Sequence, residues 1–183
     1  MLSVKSKTLP NGLRVVLVPH RVGSVTACLR GLAGSNYEKP HEIGAAHILE
    51  HLSTFRSKNF PNDGSLRNIV LWEGGRVTGT TSRDDVAYLA KTLTKNYEKA
   101  LLFLSEVFFQ PILNFKDLEK TKRIVSHEIY QNIENPSRHI GRISYRILYP
   151  NQRFSNFNTG KIEQINDLGL STLSAFRERN YSP

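Results

Sequence analysis

Gly44-Ala45-Ala46-His47-Ile48-Leu49-Glu50-His51-Leu52 is the segment from which the rest of this sequence is best read. Alanine and leucine favour the helix, so the segment predicts one. Its only polar residues are His47, Glu50 and His51, and a helix apolar on all its other faces belongs in a core. Two histidines four positions apart share a helix face, one turn from each other. From there both imidazoles can reach one metal ion at about 2.0–2.1 Å. Glu50, next to His51 and three positions after His47, borders the same face. A carboxylate there can take a proton from a water whose pKa zinc has lowered to about 7, and later pass it to a leaving amine. At the chain's own His and Glu frequencies this pattern arises by chance in about one sequence in a hundred. Satisfied core histidines with a buried glutamate would each need a separate partner, whereas a metal ion serves all three.

A tetrahedral catalytic zinc takes a third protein ligand and keeps one position open. The remaining histidines, His20, His41, His127 and His139, have no spacing that selects one of them. Glu128 is the better candidate. A helix predicted over 114–132 carries Leu118, Val125, Ile129 and Ile133 as an apolar stripe. Glu128 falls on the flank of that stripe, near Thr121, Ile124 and Val125, while Glu119 and Glu134 project away. A carboxylate turned toward a core is rare unless it is paired or bound to metal, so the competing reading of Glu128 is a buried salt bridge. His127 points elsewhere and reads as a surface residue.

Outward from these residues, the chain has 183 residues, 39% of them hydrophobic and 22% charged, which suits one globular domain with a real core. No apolar run reaches the length of a membrane span, so no membrane partner is expected. The first five residues have neither an apolar signal region nor an Arg/Ser-rich transit character, which favours a cytoplasmic protein. The net charge is +9, but the Lys and Arg residues are dispersed and no nucleic-acid-binding motif accompanies them. Nucleic acid is therefore not an expected partner; a basic surface that meets an acidic one is. The single cysteine, Cys28, lies in an apolar run and reads as a small buried hydrophobe.

Strands are predicted over 7–18, around the Pro10-Asn11-Gly12 turn signal, over 24–32, and as a pair over 76–82 and 86–93 joined at Arg83-Asp84-Asp85. Helices are predicted over 44–52, 65–73, 97–109, 114–132, 137–148 and 171–180. Strands first and helices mostly later predict an α+β domain with an antiparallel or mixed sheet. Pro183 comes just after a helix, with no further strand, so the expectation is either that the domain lacks its closing element or that something else supplies it.

The inverted order, with the glutamate just before the second histidine, marks the inverzincins. The segment 44–52 resembles the pitrilysin/insulinase family, which includes the mitochondrial processing peptidases. Leu9-Pro10-Asn11-Gly12-Leu13-Arg14-Val15 resembles that family's opening strand. Gly74-Gly75-Arg76-Val77-Thr78-Gly79-Thr80-Thr81-Ser82-Arg83-Asp84 resembles its Gly-Gly and Thr-Ser-x-Asp segment. Val125-Ser126-His127-Glu128-Ile129 followed by Asn135-Pro136 resembles the segment bearing the third ligand, with 76 residues between His51 and Glu128. The resemblance implies His47, His51 and Glu128 as zinc ligands, Glu50 as general base, and a sheet edge near Thr78 and Gly79 that pairs with extended peptide. It implies a mostly antiparallel sheet with helices packed on one face. Residues 1–183 would be a single N-terminal metallopeptidase domain, incomplete at its C-terminus before its last strand. The implied activity is zinc-dependent endopeptidase hydrolysis of extended or partly unfolded peptides, with a second homologous domain or subunit completing the chamber. The alternative is a zinc-binding fragment or subunit that is inactive without that partner.

Two positions depart from the family pattern. Thr121 stands where a supporting glutamate is usual, seven residues before Glu128, and Thr78 stands where the substrate edge usually has Asn. The mitochondrial matrix is the alternative location, but a chain at +9 attracts Arg-rich presequences poorly, which favours a bacterial cytoplasmic peptidase.

Overall fold

The computed structural model describes residues 3–150, 152 and 155–182; Pro183, on which one expectation rested, lies outside them. β1 (Lys5–Thr8) and β2 (Arg14–Leu17) form a separate antiparallel hairpin about the Pro10-Asn11-Gly12 turn. β3 (Ser24–Gly31), β4 (Arg76–Thr81) and β5 (Val86–Leu93) form an antiparallel sheet in the order β3-β5-β4. The register pairs Val77 with Ala90, Gly79 with Tyr88 and Thr81 with Val86. Directly opposed residues share a face, and this face is covered. The alternate positions Thr26, Cys28, Arg30, Thr78, Thr80 and Lys91 face outward and are exposed.

Helices cover the inner face. α1 (Ala45–Leu52) packs on β4, α2 (Ser65–Leu71) on β4 and β5, and α3 (Tyr97–Phe109) on β3 and β5. α4 (Phe115–Glu134) crosses α1; α5 (Pro136–Leu148) and α6 (Ile162–Asp167) lie against α4, and α7 (Leu170–Asn180) against α1. Tyr88, Phe103, Leu49, Leu52, Leu118 and Phe176 fill the space between the layers. The domain is α+β with helices on one face of an antiparallel sheet, as expected. No helix among the described residues is long and apolar enough to cross a membrane.

Three details differ from expectation. Cys28 is exposed, because the period-two alternation of β3 turns Ala27 and Leu29 inward and Cys28 outward. Ile133 is exposed as well: Leu118, Val125 and Ile129 are buried, and the last turn of α4 runs past the core. α6 was not anticipated. Its fully buried Ile165 docks it beside the start of α1.

α4, which bears Glu128, starts at Asn114, whose Oδ1 accepts from the Asp117 amide at 2.9 Å. Asn114→Ala should therefore cost about 1 kcal/mol and lower the melting temperature by about 2–4 °C in a thermal scan.

Candidate metal centre

α1 is held rigidly at both its start and its buried faces. Gly44 caps its N-terminus at φ +93°, a left-handed conformation that a side chain resists. A Cβ there would also lie 2.9 Å from Ile165 Cγ2. The Glu38 carboxylate accepts from the Gly44 amide at 3.1 Å and the Ala46 amide at 2.9 Å, against the positive end of the helix. Burial pushes the Glu38 carboxyl up to about 8, although the two amides pull it down. Ala45, Ala46, Ile48, Leu49 and Leu52 are fully buried, so the rotation of the helix about its axis is fixed. That rotation turns His47, Glu50 and His51 toward β4 and α4.

The side chains converge. Ligand-type atoms of His47, Glu50 and His51 lie within 4.8 Å of one another. The two imidazoles meet edge to face with centroids 4.8 Å apart. Glu128 reaches across from α4: Oε2 is 3.0 Å from His47 Nε2 and Oε1 is 3.5 Å from His51 Nε2. The His47 Nδ1 edge faces Glu50 Oε2 at 3.5 Å. Hydrogen bonds to His47 and His51 hold the Glu128 carboxyl well below the usual carboxylate range. Burial alone would push His47 down, but its hydrogen bonds to Glu128 and Glu50 outweigh it and raise the imidazole to about 9. Two imidazole nitrogens and one carboxylate aimed at one another suit a divalent metal such as zinc in chemistry and in number. The set lines a cleft of about 490 Å³.

β4 walls that cleft. β5 pairs one edge of β4, and among the described residues nothing pairs the other. Thr78 and Gly79 both line the cleft. A Cβ at Gly79 would fall on Glu50 Oε1, so the missing side chain is what lets the carboxylate lie against the strand. Thr81, two residues on and on the same face, donates its hydroxyl to Glu50 Oε2 at 3.2 Å. Sequence reasoning missed Thr81, although the alternation from Gly79 would have reached it. It also missed Glu38 as an anchor of α1. Thr121 is fully buried and donates to the Asp117 carbonyl at 2.8 Å, within its own helix. His127 is exposed and lies 2.9 Å from Gln131 Nε2, away from the cleft.

The chain belongs to the insulinase family (peptidase family M16), whose sequence profile matches residues 15–156. It is 27% identical over 179 residues to the mitochondrial-processing peptidase subunit beta of Caenorhabditis elegans, covering 95% of this chain and 38% of that protein. It is 26% identical to the uncharacterized zinc protease YmxG of Bacillus subtilis, covering 98% of this chain and 44% of that protein. The crystal structure of a protease from Helicobacter pylori superposes with a TM-score of 0.86 at 28% identity, covering 97% of this chain and 43% of that one. The chain thus spans less than half the length of each of these relatives.

Proposed function

We propose that this chain is the metal-binding catalytic core of a zinc-dependent endopeptidase acting on extended or partly unfolded peptides. The observation that carries this reading is the approach of Glu128 to both His47 and His51, at 3.0 and 3.5 Å, beside a cleft bordered by an unpaired strand. His47, His51 and Glu128 would hold the ion, which would supply Lewis acidity to a peptide carbonyl and acidify water. The unpaired edge of β4 at Thr78 and Gly79 would hydrogen-bond an extended peptide and align it across the cleft. Glu50, 7% exposed and fixed by Thr81, would accept the proton of the attacking water and return it to the leaving nitrogen. The name of the B. subtilis relative, a zinc protease, agrees with this reading. We read residues 1–183 as one N-terminal domain. The basic charge favours a bacterial cytoplasmic peptidase over a presequence-processing one.

A second reading is a zinc-bound part that cleaves only with a homologous domain or subunit across the cleft. The greater length of the relatives supports it. Elemental analysis after zinc reconstitution tests the site, and one zinc per chain is expected. Cleavage of a quenched peptide then separates the two readings.

Thr81→Val should keep the zinc stoichiometry and lower kcat about ten-fold through a less well-oriented Glu50, with Thr81→Ser restoring most of it. Equal kcat for Val and Thr would remove Thr81 from this role.

A further inference from the structure

Beyond the end of β4 lies a second pocket, of about 440 Å³, walled by Arg83, Arg138, Arg142, Tyr145, Phe157 and Asn158. Three arginines line it, and no Asp or Glu does among the described residues. The arginines are held in place by their neighbours: Arg83 Nη1 donates to the Asn156 carbonyl at 3.3 Å. The Arg142 guanidinium lies 3.9 Å from the Phe157 ring centre and that of Arg83 4.4 Å from the Tyr145 ring centre. Arg138 Nη1 donates to Asn132 Oδ1 at 3.1 Å. Arg142 is half-buried: its Nη1 is shut off from solvent with no hydrogen-bond partner among the described residues, so the guanidinium carries an unmet desolvation cost. A planar carboxylate in the pocket, meeting the accessible edge of that fork, would offset part of it.

The pocket is tied to the metal centre. Asn158 Nδ2 donates to the Thr81 carbonyl at 3.2 Å, and the Thr81 hydroxyl holds Glu50. Arg83 stands two positions past Thr81, the last residue of β4, in the turn that leads to β5. A peptide paired with β4 and running past Thr81 would lead toward this pocket.

We propose that the Arg83–Arg138–Arg142 pocket is a subsite for a peptide carboxylate, selecting substrates with a negative group a few residues from the cleaved bond. This rests on the peptidase reading and names its substrate class. Acidic side chains and the chain-terminal carboxylate share this chemistry. A nucleic-acid backbone is the alternative occupant, and the test includes it.

The test uses the full chain carrying Glu50→Gln, so that bound peptide is not consumed. Fluorescent peptides with an amidated C-terminus carry a single Glu walked through a Gln and Ala background; a Glu-free companion keeps its free C-terminus. In anisotropy titrations, Glu at one position should tighten binding about ten-fold. Arg138→Gln and Arg142→Gln should each remove most of that gain, and Arg142→Lys should keep part of it. Should the companion with the free C-terminus alone show the gain, the carboxylate is the chain terminus. Arg138 is an exposed residue, so Arg138→Gln carries the test if the Arg142 variants melt early. The proposal is overturned if no carboxylate tightens binding, if the gain survives both arginine changes, or if oligothymidylate displaces the peptide better than excess acidic peptide does. Cleavage assays on the wild-type chain keep the two readings apart. Arg-dependent Glu preference without Glu50-dependent cleavage leaves the subsite and removes the peptidase; cleavage indifferent to charge does the reverse.

Discussion

Glu50→Gln should lower peptide hydrolysis by about 10²–10⁴-fold while zinc stoichiometry and melting temperature stay near those of the unaltered chain. Glutamine has the shape of glutamate and keeps an oxygen for the Thr81 hydroxyl, so the contact at 3.2 Å survives. It also fits the space that Gly79 leaves against β4. What it loses is the ability to hold a proton. If Glu50 acts only in proton transfer, kcat falls and KM barely moves, since ground-state binding through the β4 edge is untouched. The measurement is kcat and KM on a quenched peptide with zinc-loaded protein. Equal rates would mean that the base lies elsewhere and that Glu50 only shapes the cleft. A fall in zinc content would instead make Glu50 a ligand, which its 3.5 Å separation from His47 Nδ1 leaves geometrically open.

The parts of this site that could be read in the sequence are those whose cause is local. His47, Glu50 and His51 share a face because of helical spacing alone, and α1 is buried because every other residue in it is apolar. Glu128 was legible for a similar reason: it flanks an apolar stripe on a twenty-residue helix. Its approach to both histidines needed the crossing of α4 over α1, which no window of sequence encodes. The same holds for β4. Its open edge follows from the order β3-β5-β4, a long-range fact, so pairing of peptide at Thr78 and Gly79 was reachable only through the family resemblance. Cys28 was misread although its cue was present. Thr26 and Arg30 flank it at period two, and that alternation puts it on the open face. α6 has six residues, too few for any helical period to show. Arg83, Arg138 and Arg142 lie far apart in sequence or in a helix with no buried face, so only the fold gathers them.

Zinc at 100 times its dissociation constant should raise the melting temperature by about 5–10 °C and displace about one proton from His47 near neutral pH. A ligand that binds only the folded chain adds about 2.7 kcal/mol at that excess, and each kcal/mol moves a domain of this size by about 2–4 °C. The proton follows from the metal-free geometry. Glu128 and Glu50 hold the His47 imidazole up at about 9, so at pH 7 it carries a proton on the side a metal would take. A folded value above the ordinary 6.5 means that the His47–Glu128 pair stabilises the metal-free chain fully below pH 6.5. That contribution is lost as the pH rises through about 9. Zinc binding should gain what the proton loses: affinity should climb by about ten-fold per pH unit between pH 7 and 8.5, and at a fixed zinc concentration the thermal increment should widen with it. Calorimetric titration in buffers of different ionisation enthalpy counts the proton, and thermal scans with and without zinc read the increment. Glu128→Gln should make the two readouts fall together, because it would remove a proposed charged ligand and also the first of the partners that hold His47 up. Zinc binding with no buffer-dependent heat would put the ion somewhere other than on His47, and the ligand set of His47, His51 and Glu128 would then have to be abandoned.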